Sequence, residues 1–401
     1  MLEARKAEMI DIRRYLHAHP ELSFHEQATS EYIADFYQGK EVEIQRKWDG
    51  YGMIVTIRGG KPGKTIALRA DFDALPITEQ TDLPFASENP GVMHACGHDG
   101  HTAYLMVLAD CLIQLKKDIP GTIKIIHQHA EETPPGGAKA IVESGLLDDV
   151  DQIFGIHLFP TSPAGTVTYR SGYAMAGRSY FKLIIRGKGG HGSSPHMAND
   201  AIVAASHFVT AVQMIVSRRL NPFETGVVTI GSFDGKGSFN VIKDSVVLEG
   251  DVRYMTKEAQ QLIDQEVHRI VKGIESMFGV TAELTYTADY PPLYNDPEIT
   301  ANVVKYLNRS VGDYLTAVSE AGMLSGSEDF AYYLEKFRAA SSILAASLKI
   351  RKKSTSIIIR NSILMKMRCW SLPNLSAKSC ADITVWSSIE GSQAASVLTF
   401  L

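Results

Sequence analysis

The sequence predicts an α/β fold: a three-layer α/β domain interrupted by a smaller α+β domain of ferredoxin-like order. Three observations predict it. Over residues 1–173, short apolar runs of strand character alternate with segments of helical period. From about 174 to 290 the order becomes β-α-β-β-α-β, the split βαβ arrangement, in a stretch of domain size. After YPPLYND, helical spacing returns over 291–336.

Each element has its own signal. Residues 4–18 have helical spacing, and MIVTIRG at 53–59 and TIALRAD at 65–71 read as strands. A helix is predicted over 99–117, where IPGT stops it. TIKIIHQHA at 122–130 reads as a strand, 136–144 as a short helix and QIFGIHL at 152–158 as a strand. Strands separated by helices imply much parallel pairing. In the insert, strands at 179–187, in VVTIGSF, in SVVLEGDVRYM and in TAELTYTA frame two helices, 199–219 and 257–278. Helices follow at 297–310 and near 328–335.

Composition narrows the class. The 401 residues are 45% apolar and 21% charged, an ordinary globular balance, and the net charge of −5 gives no reason to expect nucleic acid. The N-terminus is charged throughout and no later segment reads as an uninterrupted membrane span, so a cytoplasmic protein without a membrane partner is expected. Four scattered cysteines give no disulfide framework. Residues 337–401 differ: nine Lys/Arg stand against two acids, Asp382 and Glu390, with thirteen serines, one glycine and two of the three tryptophans. No histidine follows His268. Such a shift marks a boundary.

The chemistry-bearing residues fall in four segments. HACGHDGH at 94–101 packs three histidines, an aspartate and Cys96 into eight residues. Thiolate and imidazole suit zinc, manganese, cobalt or nickel, and Gly97 lets Cys96 and His98 face one pocket; the alternative is a His-rich surface loop. HAEE ends in Glu131 and Glu132 at a strand end, where neighbouring side chains of an extended chain point to opposite sides. One could then hold metal while the other faces substrate, or both could cap a solvated turn. His157 in GIHLFP follows an apolar strand and could be a ligand or a packed residue. Asp71 and Asp73 in ALRADFDALP lie on one side of a strand, placed to orient metal-bound histidines or to cap a turn. All lie near strand ends, where α/β folds place their sites.

With RRYLHAHPELSFHE at 13–26, GKGGHGSSPH at 187–196 and GSEDF at 326–330, these motifs in order resemble the amidohydrolase branch of the aminoacylase/carboxypeptidase-type metallopeptidases. Hippurate hydrolases, auxin-conjugate hydrolases and N-acetyl-diaminopimelate deacetylases belong to that branch. The resemblance spans residues 1 to about 336. It implies two divalent metal ions, with Cys96 bridging them, His98 and His157 binding one each, and Glu132 as a further ligand. It implies Glu131 as general base and His191 as a residue that reaches a partner subunit's site across a homodimer or larger assembly. Asn240 and Arg253 match substrate-contacting positions, although a turn residue and a surface strand cation would look the same. The substrate implied is an N-acyl amino acid, and 174–290 would be the dimerisation and lid domain. A dipeptidase or carboxypeptidase of the same fold is the alternative, with Cys96 favouring the amidohydrolase branch.

The family has a last metal-binding histidine near its C-terminus, in a segment like HHHPKFD. This sequence reads SIIIRNSI at 356–363 instead. One choice of synonymous codons for that stretch, read from the last base of the first codon, spells His-His-His-Pro-Lys-Phe-Asp. The same offset turns FRAASSILAAS at 337–347 into VPGSIFNFGS. Residues 337–401 are therefore read as an out-of-frame tail. Taken literally, the chain would then be a catalytically impaired dimer that keeps the fold.

Overall fold

The computed structural model describes residues 1–337 apart from 47, 49, 160–162 and 164, together with the backbone of 340–346, 349–350 and 383–384. In chain order the first elements are α1 (Lys6–Ala18), α2 (Gln27–Phe36), β1 (Glu43–Gln45), β2 (Met53–Arg58), β3 (Lys61–Asp71) and α3 (His98–Leu115). There follow β4 (Pro120–Gln128), α4 (Gly137–Glu143), β5 (Gln152–Leu158), β6 (Thr166–Tyr169), β7 (Gly172–Met175), β8 (Gly177–Arg186), β9 (Gly190–His191) and α5 (Ala201–Met214). Next come β10 (Gly226–Asp234), β11 (Val241–Ile242), β12 (Ser245–Tyr254), α6 (Lys257–Phe278), β13 (Thr281–Tyr290) and β14 (Leu293–Asn295). The last are α7 (Pro297–Arg309), β15 (Ala317–Glu320), α8 (Ala331–Lys336) and β16 (Ala340–Ala346). The chain forms two compact units, one of Met1–Ala174, Tyr294–Gly322 and Asp329 onward, the other of Met175–Leu293 and Met323–Glu328.

The first unit is built on a mixed eight-stranded sheet in the order β1-β2-β4-β3-β5-β16-β6-β15. Its centre is parallel, β3 pairing with β4 on one side and β5 on the other, and β16 continuing beside β5. The β2–β4 and β16–β6 pairs are antiparallel, so the sheet is less uniformly parallel than its alternating elements imply. Residues 53–57 of β2 are all buried, as expected of a strand covered on both faces. Met53, Val55 and Ile57 meet Ile123 and Ile125 of β4, Met9, Ile12 and Leu16 of α1, and Leu105, Ala109 and Leu112 of α3 in one core. The slot between β5 and β6 is filled by the backbone of 340–346, which demands only an extended chain. The His-His-His reading at 356–363 lies outside the described residues.

The second unit has an antiparallel four-stranded sheet ordered β10-β12-β8-β13. Strict alternation of buried and half-buried residues on β8 and β12 directs Phe181, Leu183, Ile185, Val246, Leu248 and Val252 toward α5 and α6. Both helices begin where the sequence offers a cap. The Asp200 carboxylate accepts from the amides of Ile202 and Val203, and Thr256 Oγ1 from Ala259 N at 3.1 Å. Gly279, at φ 63°, ends α6. Contrary to the sequence expectation, Ala201–Arg219 is long and apolar enough to cross a membrane. Its apolarity serves two faces at once: Ala204, Ala205, Phe208 and Val212 pack on the sheet, while Ile202, Val203 and Met214 are exposed.

Candidate metal centre

Parallel pairing of β4, β3 and β5 brings their carboxyl ends to one side of the sheet, and α3 starts there. Gly97, at φ 90°, precedes α3 and lets Cys96 and His98 turn inward from the same short loop. Cys96, His98 and His157 each offer an atom within 4.8 Å of the others, and so do His98, Glu131 and Glu132, and also Asp71, His98 and His101. Two ligands on opposite sides of one ion at about 2.0–2.3 Å would be about 4–4.6 Å apart, close to the spacing of the first two trios, whereas the third includes His101, whose ring nitrogens are both hydrogen-bonded. His98 belongs to all three.

Hydrogen bonds fix which nitrogen each imidazole presents. His98 Nδ1 is 3.0 Å from Asp73 Oδ1, so that nitrogen donates and Nε2 faces the cluster. Nε2 is buried with no hydrogen-bond partner among the described residues, and stands 3.7 Å from Asp71 and 3.9 Å from Glu132. Such a buried bare nitrogen among carboxylates is what a cation would satisfy. His157 Nδ1 donates to the carbonyl of Leu158 at 3.0 Å and turns Nε2 toward Cys96 Sγ, 3.4 Å away. His101 is spent, because its Nδ1 is 2.6 Å from Asp71 and its Nε2 accepts the Leu158 amide at 2.8 Å. That histidine therefore braces the strand end carrying His157.

Burial and neighbouring charges set the protonation of the cluster. Burial, with the charges of Glu132 and Glu131 adding to it, pushes the Cys96 thiol up to about 12; a coordinated thiol is deprotonated outright. Burial, then the neighbouring His101, keeps His157 well below the usual imidazole range, in the neutral form that binds metals. Burial opposes charge on His98, but Asp71, Cys96 and Asp73 together outweigh it and raise the group, so the cluster favours positive charge there. Burial also opposes ionisation of Asp71, yet Arg69, His98 and His101 hold it well below the usual carboxylate range. Arg69 spans the interior, donating to Asp71 at 2.6 Å, Gln128 at 2.8 Å and Asp329 at 2.8 Å. Asp329 stands in GSEDF, a motif whose bracing role the sequence does not reveal.

Glu131 and Glu132 do not alternate along a strand, because β4 ends at Gln128 and Ala130 turns left-handed at φ 52°. Both carboxylates thereby come within reach of His98. The remaining sequence candidates lie in the second unit. His191 is exposed on β9, its Nδ1 2.7 Å from Ser193 Oγ. Asn240 is exposed and its carbonyl accepts from Gly192 N, whereas Arg253 pairs with Asp251 at 2.8 Å and donates to Ser327 Oγ at 3.1 Å.

The sequence pattern of peptidase family M20/M25/M40 matches residues 67–350. The chain is 40% identical over 314 residues to the N-acyl-L-amino acid amidohydrolase of Geobacillus stearothermophilus, covering 77% of this chain and 85% of that one. It is 39% identical over 334 residues to the N-acetyl-L-cysteine deacetylase of Bacillus subtilis, covering 83% and 79%. Among solved structures, the YXEP protein of Bacillus subtilis, described as a dinuclear metal binding peptidase from the M20 family, is 35% identical. It superposes with a TM-score of 0.74 over 88% of this chain and 91% of that one. A donor set of thiol, imidazole and carboxylate at the carboxyl ends of parallel strands, in a chain this similar, leads to one assignment: the protein is a hydrolase of peptidase family M20/M25/M40.

Proposed function

We propose that the protein hydrolyses the amide bond of N-acyl amino acids at a two-metal centre formed by Cys96, His98, Glu132 and His157. The observation that carries this is that the Cys96–His157 pair and the Glu131–Glu132 pair both converge on His98, whose Nε2 is buried without a hydrogen-bond partner among the described residues. Divalent cations bound there would lower the pKa of a water and polarise the amide carbonyl. Glu131, held beside His98, takes the proton from the attacking water and returns it to the leaving amine, as one carboxylate can. Asp73 fixes the His98 tautomer, and Asp71 orients the His101 that braces the His157 strand end. The roles of His191 in steadying the oxyanion, and of Asn240 and Arg253 in contacting substrate, rest on the sequence resemblance. The test is a panel of N-acetyl and N-benzoyl amino acids set against dipeptides. Faster release of the acyl group than of a dipeptide's terminal residue is expected, and the reverse preference would make the protein a peptidase.

We further propose a homodimer through the second unit. β10 is an edge of its sheet, with Val227 and Phe233 exposed on it, and α5 turns Ile202, Val203 and Met214 outward. An open edge strand beside exposed apolar helix residues suits pairing with a second copy. Light scattering should give twice the chain mass, with Val203→Asp shifting it toward the monomer. A monomeric parent protein would refute the proposal.

We also infer that residues 337–401 are out of frame. Their charge and serine content and the two family-like segments recovered by one offset support this reading. The family match runs on to residue 350, so it covers only the first residues of this tail, among them β16.

A further inference from the structure

The turn that carries Glu131 and Glu132 is held from behind by a segment that the proposed chemistry does not use. Ala130 sits at φ 52° with its side chain fully buried, a conformation that any residue with a Cβ disfavours. Two hydrogen bonds keep it there. Its N–H donates to Glu26 Oε1 at 2.8 Å, and its carbonyl accepts from Gly137 N at 3.1 Å. Glu26 is wholly buried, and its other oxygen has no hydrogen-bond partner among the described residues.

Glu26 ends the SFHE segment of the N-terminal motif, whose Phe24 also has a positive φ, 66°, and packs edge-on against the His129 ring. Ser23, three residues earlier, donates from Oγ to Asp73 Oδ2 at 2.7 Å, and that same oxygen accepts the Glu132 amide at 2.9 Å. One short segment thus fastens the turn twice, directly at Ala130 and through Asp73 at Glu132. A carboxyl placed only to fill space would need no bond to the one strained amide of the turn.

We propose that Glu26 is a positioning residue that locks the left-handed backbone at Ala130 and so aims Glu131 and Glu132 at His98. The inference rests on the proposed roles of those two glutamates. Burial, then the charge of Asp73, raises Glu26 to about 8, so near neutral pH it is largely uncharged and glutamine is a close mimic that keeps an acceptor oxygen.

The test compares Glu26→Gln, Glu26→Ala, Glu26→Ala with Ala130→Gly, and Glu131→Gln in the full chain. It is made in whichever form, as written or frame-restored, turns over N-acetyl amino acids faster. Readouts are kcat, KM, the Mn2+ affinity of chelator-stripped protein and the thermal midpoint. Glu26→Gln should stay within about threefold of the parent. Glu26→Ala should lose about 10–100-fold in kcat and in Mn2+ affinity, the scale of lost outer partners of a metal site, with KM little changed. Adding Ala130→Gly, which makes the left-handed turn intrinsically accessible, should recover most of both without restoring the thermal midpoint. If Glu26→Ala does not fold, Glu26→Met, which keeps the volume without the acceptor, takes its place with the same expectations. Parent-like kcat and affinity, or a loss that glycine at 130 leaves untouched, would overturn the proposal while leaving the site assignment standing. Unchanged turnover in Glu131→Gln would overturn the site assignment and this inference with it.

Discussion

Glu131→Gln is expected to lower kcat by about 100- to 10,000-fold while leaving bound metal at the parent level. Removing a general base costs on that scale, and the amide that replaces it cannot accept a proton from water at neutral pH. Glu131 is buried, and His98 and Glu132 lie within reach of it, so the substitution is nearly isosteric in a packed site. Glu132→Gln should behave differently, losing metal first and activity as a consequence. Kinetics and metal analysis of the two variants side by side check the assignment. Metal lost from Glu131→Gln with turnover retained by Glu132→Gln would exchange the two roles.

How much of this was legible in the sequence depends on how far apart the cooperating residues are. Cys96, Gly97 and His98 declare themselves, because a metal loop needs its donors and its glycine within a few residues. His157 and Asp71 are visible only as polar residues ending apolar strands, and the parallel register that brings those ends together is a property of the sheet. His101 looks like a ligand in HACGHDGH, but both of its nitrogens are committed to Asp71 and the Leu158 amide, partners 30 and 57 residues away. Glu26 and Ser23 stand in a recognisable motif whose purpose shows only where the chain brings Ala130 and Asp73 against it, 104 and 50 residues distant. The left-handed turn at Ala130 has no sequence signal, since alanine is not the residue that such a backbone selects. The same turn defeats the strand-alternation argument for the two glutamates.

Restoring the frame from residue 337 is expected to tighten metal binding by more than the roughly 10–100-fold attached to losses outside the ligand shell, and to raise turnover with it. The reason is a missing ligand: Ser356, Ile357, Ile358 and Ile359 carry no imidazole, while the offset reading places three histidines there. Nearby histidines do not substitute. His101 has both nitrogens engaged, and His129 belongs to none of the donor trios among the described residues. Both proteins would be expressed and compared for bound Mn2+ and for hydrolysis of N-acetyl and N-benzoyl amino acids. Equal metal content and equal rates would show that 337–401 is read correctly as it stands.

The central claim, that a buried cluster around His98 works as a two-metal hydrolytic site, is tested most directly by stripping and refilling. The faster of the two forms is freed of metal with a chelator, then titrated with Mn2+ while hydrolysis of an N-acetyl amino acid is followed. Turnover should vanish on stripping and return to a plateau at about two equivalents per chain, as a two-metal site requires. Full turnover by the stripped protein, or Cys96→Ala and His157→Ala variants that bind Mn2+ as tightly as the parent, would contradict it.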